Sequence, residues 1–138
     1  MVSAGEDIIA WQMNHLEAMW TTSDLFSSLG INFNSSIPNS GQFSAGFMVM
    51  RVNSRTRNFV DKWDGFMSRN LSLCRDEPSL ERNYYLFKEN RHDQSAFSLL
   101  LKLLISKNQI NVKRLSDKDV NSDNLQEHFS PHPPPQVV

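Results

Sequence analysis

Arg91-His92-Asp93-Gln94-Ser95 places a guanidinium, an imidazole, a carboxylate, an amide and a hydroxyl side by side, directly ahead of a strongly apolar run. Asp93 suits a helix N-cap, where its carboxylate would accept a backbone N–H and contribute about 1 kcal/mol. Capping alone leaves the clustering of Arg91, His92 and Gln94 without a role. A helix N-terminus presents free N–H groups and partial positive charge, which suits hydroxyls and anionic groups. The run therefore reads as the polar entrance of a buried helix that faces a ligand. A second segment, Gln42-Phe43-Ser44-Ala45-Gly46-Phe47, sets small residues inside an apolar stretch. Such residues mark a bulge or a close backbone approach, and the segment reads equally as a core strand with small residues for packing or as one against which a flat ligand such as a sugar ring can lie. A third, Glu17 to Phe26, reads as two helices joined at Ser23, with Trp20 in the core rather than serving as a stacking platform.

Local patterns suggest the elements that hold these segments. Ile9, Met13, Leu16 and Trp20 form one helical stripe, which predicts a helix over 6–20. Ser23 caps a short helix from Asp24, with Leu25, Phe26 and Leu29 inside and Gly30 as its stop. Residues 31–41 are turn formers and read as an exposed loop. Gln42 to Val52 is apolar on both parities, as in a strand covered on both faces. Ser54 caps a helix over 55–69 that buries Phe59, Val60, Trp63, Phe66 and Met67. Pro78 breaks the connection at 71–80, and 81–90 fits either a short helix or an extended piece. A helix over 94–107 buries Phe97, Leu100, Leu101, Leu104 and Ile105, and a short strand at 109–115 follows. The Pro-rich tail from 116 to 138 reads as extended or disordered. The expected organisation is thus one unit over 1–115 and a tail over 116–138. The fold class is α/β, with few strands flanked by helices.

Composition narrows the functions. The chain has 138 residues, 39% of them hydrophobic, which is enough to build a core. Fifteen acids against 14 bases leave no basic stripe, so no nucleic-acid partner is expected. The one cysteine, Cys74, cannot form an internal disulfide. The apolar run Leu99 to Ile105, interrupted by Lys102, is too short to span a bilayer. No secretory signal pattern is seen, so a cytoplasmic setting is the default expectation.

Three pieces, LEAMWTTSDLF, GQFSAGFMVMRVNSRTRNFVDKW and ENRHDQSAFSLLLK, together resemble the C-terminal half of nucleotide-sugar-dependent glycosyltransferases with the GT-A fold. The resemblance runs from about Ile8 to Ile105. The middle piece resembles the Phe-Asn-(Ala/Ser)-Gly strand of several such families, with Ser44 standing where Asn is common. The resemblance implies a partial GT-A-like fold and transfer of a sugar from a nucleotide-sugar donor to a hydroxyl acceptor. It implies that Asp93 is the carboxylate nearest the reaction and that Gln94 hydrogen-bonds the sugar. It also sets His92, Arg91 and Ser95 at the rim or supporting the loop, with Gln42, Ser44 and Gly46 on the floor. A glycosyl transition state is oxocarbenium-like, so a nearby carboxylate is favourable.

The nucleoside diphosphate leaving group normally needs a divalent cation, Mn or Mg, or basic side chains. The Asp-x-Asp motif that holds such a cation in GT-A enzymes follows an early strand, and no such arrangement occurs here. Asp61–Asp64 has the wrong spacing, and Asp117-Lys118-Asp119 reads as a solvated cluster in the tail. His128 and His132 are four apart, but the prolines around them argue against a helix. The expectation is therefore no metal or other cofactor held by this chain, and a truncated enzyme whose N-terminal nucleotide-binding half is missing. The rival readings are a non-catalytic carbohydrate-binding module and an inactive remnant.

Overall fold

The computed structural model describes residues 5–75 and 78–116. It is a mixed α/β fold: a three-stranded sheet with helices packed on it. The tail expected over 116–138, with Asp117, Asp119, His128 and His132, lies outside the described residues apart from Ser116.

The sheet is ordered β2-β1-β3, with β1 (Ile8–Leu16) at its centre. β1 pairs antiparallel with β2 (Gly41–Met50) and parallel with β3 (Val112–Ser116). The helix expected over 6–20 is therefore a strand for most of its length. Only α1 (Glu17–Trp20), its last turn, is helical. The stripe at Ile9, Met13 and Leu16 coincided with a helical period by chance. Ile8 and Ile9 are both buried, on opposite faces, as a central strand requires, and both are β-branched. Pairing on both edges decided the outcome over the local pattern.

Asp7 locks the start of β1 and β3 to the end of β2. Its carboxylate accepts from Arg55 Nε at 2.9 Å, Arg55 Nη2 at 2.8 Å, Asn53 Nδ2 at 2.8 Å and the Asn111 N–H at 2.9 Å. The Arg55 guanidinium, aided by the other donors, holds this carboxyl well below the usual carboxylate range. The same clasp fixes the start of α3 (Ser54–Arg69). The cap of α3 is Asn53, in a reciprocal capping box with Thr56, and not the expected Ser54. α3 buries Phe59 and Phe66, while Trp63 stacks on Phe59 and tilts onto Phe97. Val60, expected inside, is exposed.

α2 (Ser23–Ser28) begins one residue earlier than expected and is capped by Thr22. Gly30, at φ +69°, closes it as read from the sequence. The loop at 31–41 is less exposed than expected, because Ile31 and Pro38 are buried. Residues 81–90 adopt no helix or strand, and the Tyr84 hydroxyl donates to the Phe33 carbonyl.

α4 (Asp93–Ser106) is the central helix. Every residue from Ser95 to Lys102 is buried, so it is wrapped on all sides and not on one face alone.

Candidate functional site

The head of α4 and the middle of β2 meet, and a bulge makes the meeting place. β1 advances from Ala10 to Gln12 while β2 retreats from Met48 to Phe43. Ser44-Ala45-Gly46-Phe47 on β2 thus stand opposite Trp11 alone, and a bulge was one of the readings that their small residues offered. Released from β1, the backbone of this segment turns to other partners. The Ser44 hydroxyl accepts from the Gly46 N–H at 3.1 Å. The Ala45 N–H donates to Gln94 Oε1 at 3.1 Å.

That last bond belongs to a regular pattern. Gln94, Ser98 and Lys102 lie four residues apart on one side of α4, about 6 Å per step. Along β2, alternate residues repeat at about 6.8 Å. The two repeats match: Gln94 takes the Ala45 N–H, Ser98 Oγ takes the Phe43 N–H at 2.8 Å, and Lys102 Nζ donates to the Gly41 carbonyl at 2.7 Å. Side chains of α4 thus do for this edge of β2 what a neighbouring strand would do.

Behind the stripe lies Glu17, fully buried on α1. Its carboxylate accepts from Lys102 Nζ at 2.6 Å, Ser98 Oγ at 2.5 Å, Gln42 Nε2 at 2.8 Å and Thr21 Oγ1 at 3.5 Å. Lys102 also donates to Ser40 Oγ at 2.6 Å. Burial pushes the Lys102 ammonium below the ordinary lysine range, against the pull of Glu17. Gln42, also fully buried, accepts through its own oxygen from Gln94 Nε2 at 2.7 Å. A hydrogen-bonded chain therefore runs from Lys102 through Glu17, Gln42 and Gln94 to the bulge.

Arg91, His92 and Asp93 stand at the mouth, all exposed. Asp93 does not cap α4; it is the first helical residue, one position too late for the capping bond. Its carboxylate is left at the surface on the positive end of the helix. His92 occupies the N-cap position at φ 54° and ψ −122°, a conformation that favours glycine and costs about 1–3 kcal/mol. Ser95 ties the entrance down: its hydroxyl accepts from the Arg91 N–H at 3.1 Å and donates to the Trp20 carbonyl at 2.7 Å. The Arg91 guanidinium lies over the Trp20 ring at 4.3 Å and within 3.5 Å of the Glu89 carboxylate. The Trp63 indole donates to the Asp93 carbonyl at 3.2 Å. Burial, with help from the Asp93 charge, pushes the Cys74 thiol up.

The eight residues singled out from the sequence therefore converge, in two layers. Arg91, His92, Asp93 and Gly46 are exposed, and Gln94 is half-buried. Gln42, Ser44 and Ser95 are buried behind them, so they support the surface layer and do not front it. A cleft of about 540 Å³ is lined in part by Thr22, Arg75, Asn83, Lys88 and Asn90, and none of the eight residues lines it. Glu17, Ser98 and Lys102 were not anticipated. The signal for Ser98 and Lys102 was present as the polar period Gln94-x-x-x-Ser98-x-x-x-Lys102 inside an otherwise apolar helix.

Among the described residues, no group of three His, Cys, Asp or Glu side chains could hold a metal ion. No described helix is long and apolar enough to cross a membrane. No family model, curated protein or solved structure matches the chain.

Proposed function

We propose that the chain is the sugar-side portion of a GT-A-like glycosyltransferase, with the bulge of β2 and the head of α4 receiving the hexose of a nucleotide-sugar donor. One observation carries the reading. Gln94 Oε1 holds the Ala45 N–H, which brings the Ser44–Gly46 segment against the Arg91–Asp93 entrance. These belong to the middle and last pieces of the sequence resemblance, the last being the most specific, and they are far apart in the chain.

The chemistry of the surface layer fits a polyol. Gly46 adds no side chain, so a flat ring can approach the backbone. Asp93 offers an acceptor for hydroxyls and a negative charge for an oxocarbenium-like centre. Arg91 and Lys88 near Trp20 offer positive charge to a diphosphate. His92 is held in a costly backbone conformation, as residues at working sites often are.

A binding module that holds a sugar without transferring it is the second reading. It is favoured by the exposure of Arg91, His92, Asp93 and Gly46, an open surface that suits binding better than a reaction that must exclude water. Calorimetric titration with UDP-hexoses and with free hexoses tests both. The transferase reading predicts saturable binding of the nucleotide sugar, tighter than free hexose, and weakened at least tenfold by Asp93→Asn. Equal affinity for both ligands favours the binding module. No binding of either rejects the sugar site.

A further inference from the structure

We propose that Glu17 and Lys102 are positioning residues, which fix the orientation of the Gln42 and Gln94 side-chain amides and thereby set the donor and acceptor pattern at the site's edge. This rests on the sugar-site reading above for its functional meaning, though the orientation itself can be tested without a ligand.

Two amides in series can in principle run in either direction, because each carries an N–H₂ donor at one end and an oxygen at the other. A carboxylate removes the choice. It only accepts, so Gln42 turns its Nε2 to Glu17 Oε1, at 2.8 Å. Its oxygen is then left for Gln94, which donates Nε2 at 2.7 Å. Gln94 Oε1 in turn receives the Ala45 N–H, a donor that cannot be reversed. The chain is thus pinned at one end by an anion and at the other by a backbone N–H. Both pins demand the same direction.

Lys102 completes the device. Its Nζ holds Glu17 Oε2 and, through Ser40 Oγ and the Gly41 carbonyl, the start of β2. Ser98 bonds the same oxygen, so Oε1 is left for Gln42 and Thr21. Glu17 and Lys102 are 0% and 7% exposed, and the cavity that Lys102 does line, with Ser40 and Ile105, contains none of the eight site residues, so neither touches a ligand at this site. Any influence on binding must pass through the amides. Gln94 is half-buried at the surface layer, and the remaining N–H of its Nε2 is the donor the chain delivers to a sugar oxygen.

The test is ¹⁵N–¹H NMR of the full chain, reading the Gln42 and Gln94 side-chain amides, alongside titration with UDP-glucose and glucose. Glu17→Gln gives Lys102 and Ser98 only the new amide's oxygen to hold, which turns its N–H₂ toward Gln42 and opposes the direction that the Ala45 N–H imposes. The expected result is shifted or doubled Gln42 and Gln94 amide signals, with at least tenfold weaker UDP-glucose binding. Unchanged amide signals overturn the proposal, whether or not sugar binds. Altered amides with unchanged affinity overturn the positioning role. If the parent protein binds no sugar, the sugar-site reading falls, and the amide signals still decide the orientation. Gln42→Met breaks the chain while keeping the Glu17–Lys102 pair, and so serves if Glu17→Gln does not fold. It must move the Gln94 amide and weaken binding, and failure to do either overturns the proposal.

Discussion

Lys102→Met probes the buried pair most sharply. The substitution keeps the linear stem and removes the ammonium, so little packing volume changes. Three bonds are lost, to Glu17 at 2.6 Å, to Ser40 at 2.6 Å and to the Gly41 carbonyl at 2.7 Å. The Gly41 carbonyl keeps a bond from Gln12 Nε2 at 2.9 Å, so it is not orphaned. Glu17 fares worse. It keeps Ser98, Gln42 and Thr21 but stays fully buried without a cation. Breaking one side of a buried pair costs about 3–5 kcal/mol, a large share of the roughly 5–15 kcal/mol that a domain has. Near 140 residues each kcal/mol moves Tm by about 4 °C, so a fall of about 12–20 °C is expected. Adding Glu17→Gln removes the stranded charge, and the double variant should regain about 2 kcal/mol or more. Urea unfolding of the parent, both single variants and the double variant gives the coupling. A cost below about 1 kcal/mol for Lys102→Met, or simple additivity in the double variant, would refute the idea that the pair is desolvated and coupled.

Three other substitutions test separate parts of the account. His92→Gly should raise stability by roughly 0.5–2 kcal/mol, because relief at φ 54° outweighs the entropy of glycine, and it should also weaken sugar binding. A drop in Tm would show that His92 is not held against its preference. Gly41→Ala should cost about 3 kcal/mol or more, since its Cβ would stand 2.0 Å from the Met13 carbonyl oxygen, a backbone atom. A variant as stable as the parent would contradict the close crossing of β1 and β2. Asp7 sets a pH dependence. Its folded carboxyl titrates below the usual range, so its contribution is complete above that range and is lost as the pH falls through it. Tm followed from pH 7 to pH 3 should fall less steeply in Asp7→Asn than in the parent, which loses about 1 kcal/mol from this clasp over that range. Parallel curves would rule the clasp out.

The parts of the fold that could be read in the sequence were those set by local chemistry. The α3 and α4 helices show their apolar periods, Gly30 stops α2, and the small trio in β2 offers a bulge as one reading. β1 was misread because Ile9, Met13 and Leu16 happen to suit a helix, and only pairing with β2 and β3 reveals a strand. Cap identities slipped by a residue at Asn53, Thr22 and His92, since neighbouring polar residues offer equivalent caps and only backbone angles choose between them. The site was legible as two clusters but not as two layers. Nothing local to Gln42 or Ser95 says that they are buried. Glu17 was hidden inside the misassigned helix, and apart from Thr21 its partners lie 25 to 85 residues away along the chain.

The central claim is that the β2 bulge and the head of α4 form one sugar-binding surface. A crystal structure of the full chain soaked with UDP-glucose tests it most directly. The account predicts the hexose against Ser44–Gly46, with a hydroxyl within hydrogen-bonding distance of the Asp93 carboxylate and an oxygen facing Gln94 Nε2. A hexose bound at another face, or no bound ligand in crystals where this surface is open, would contradict it.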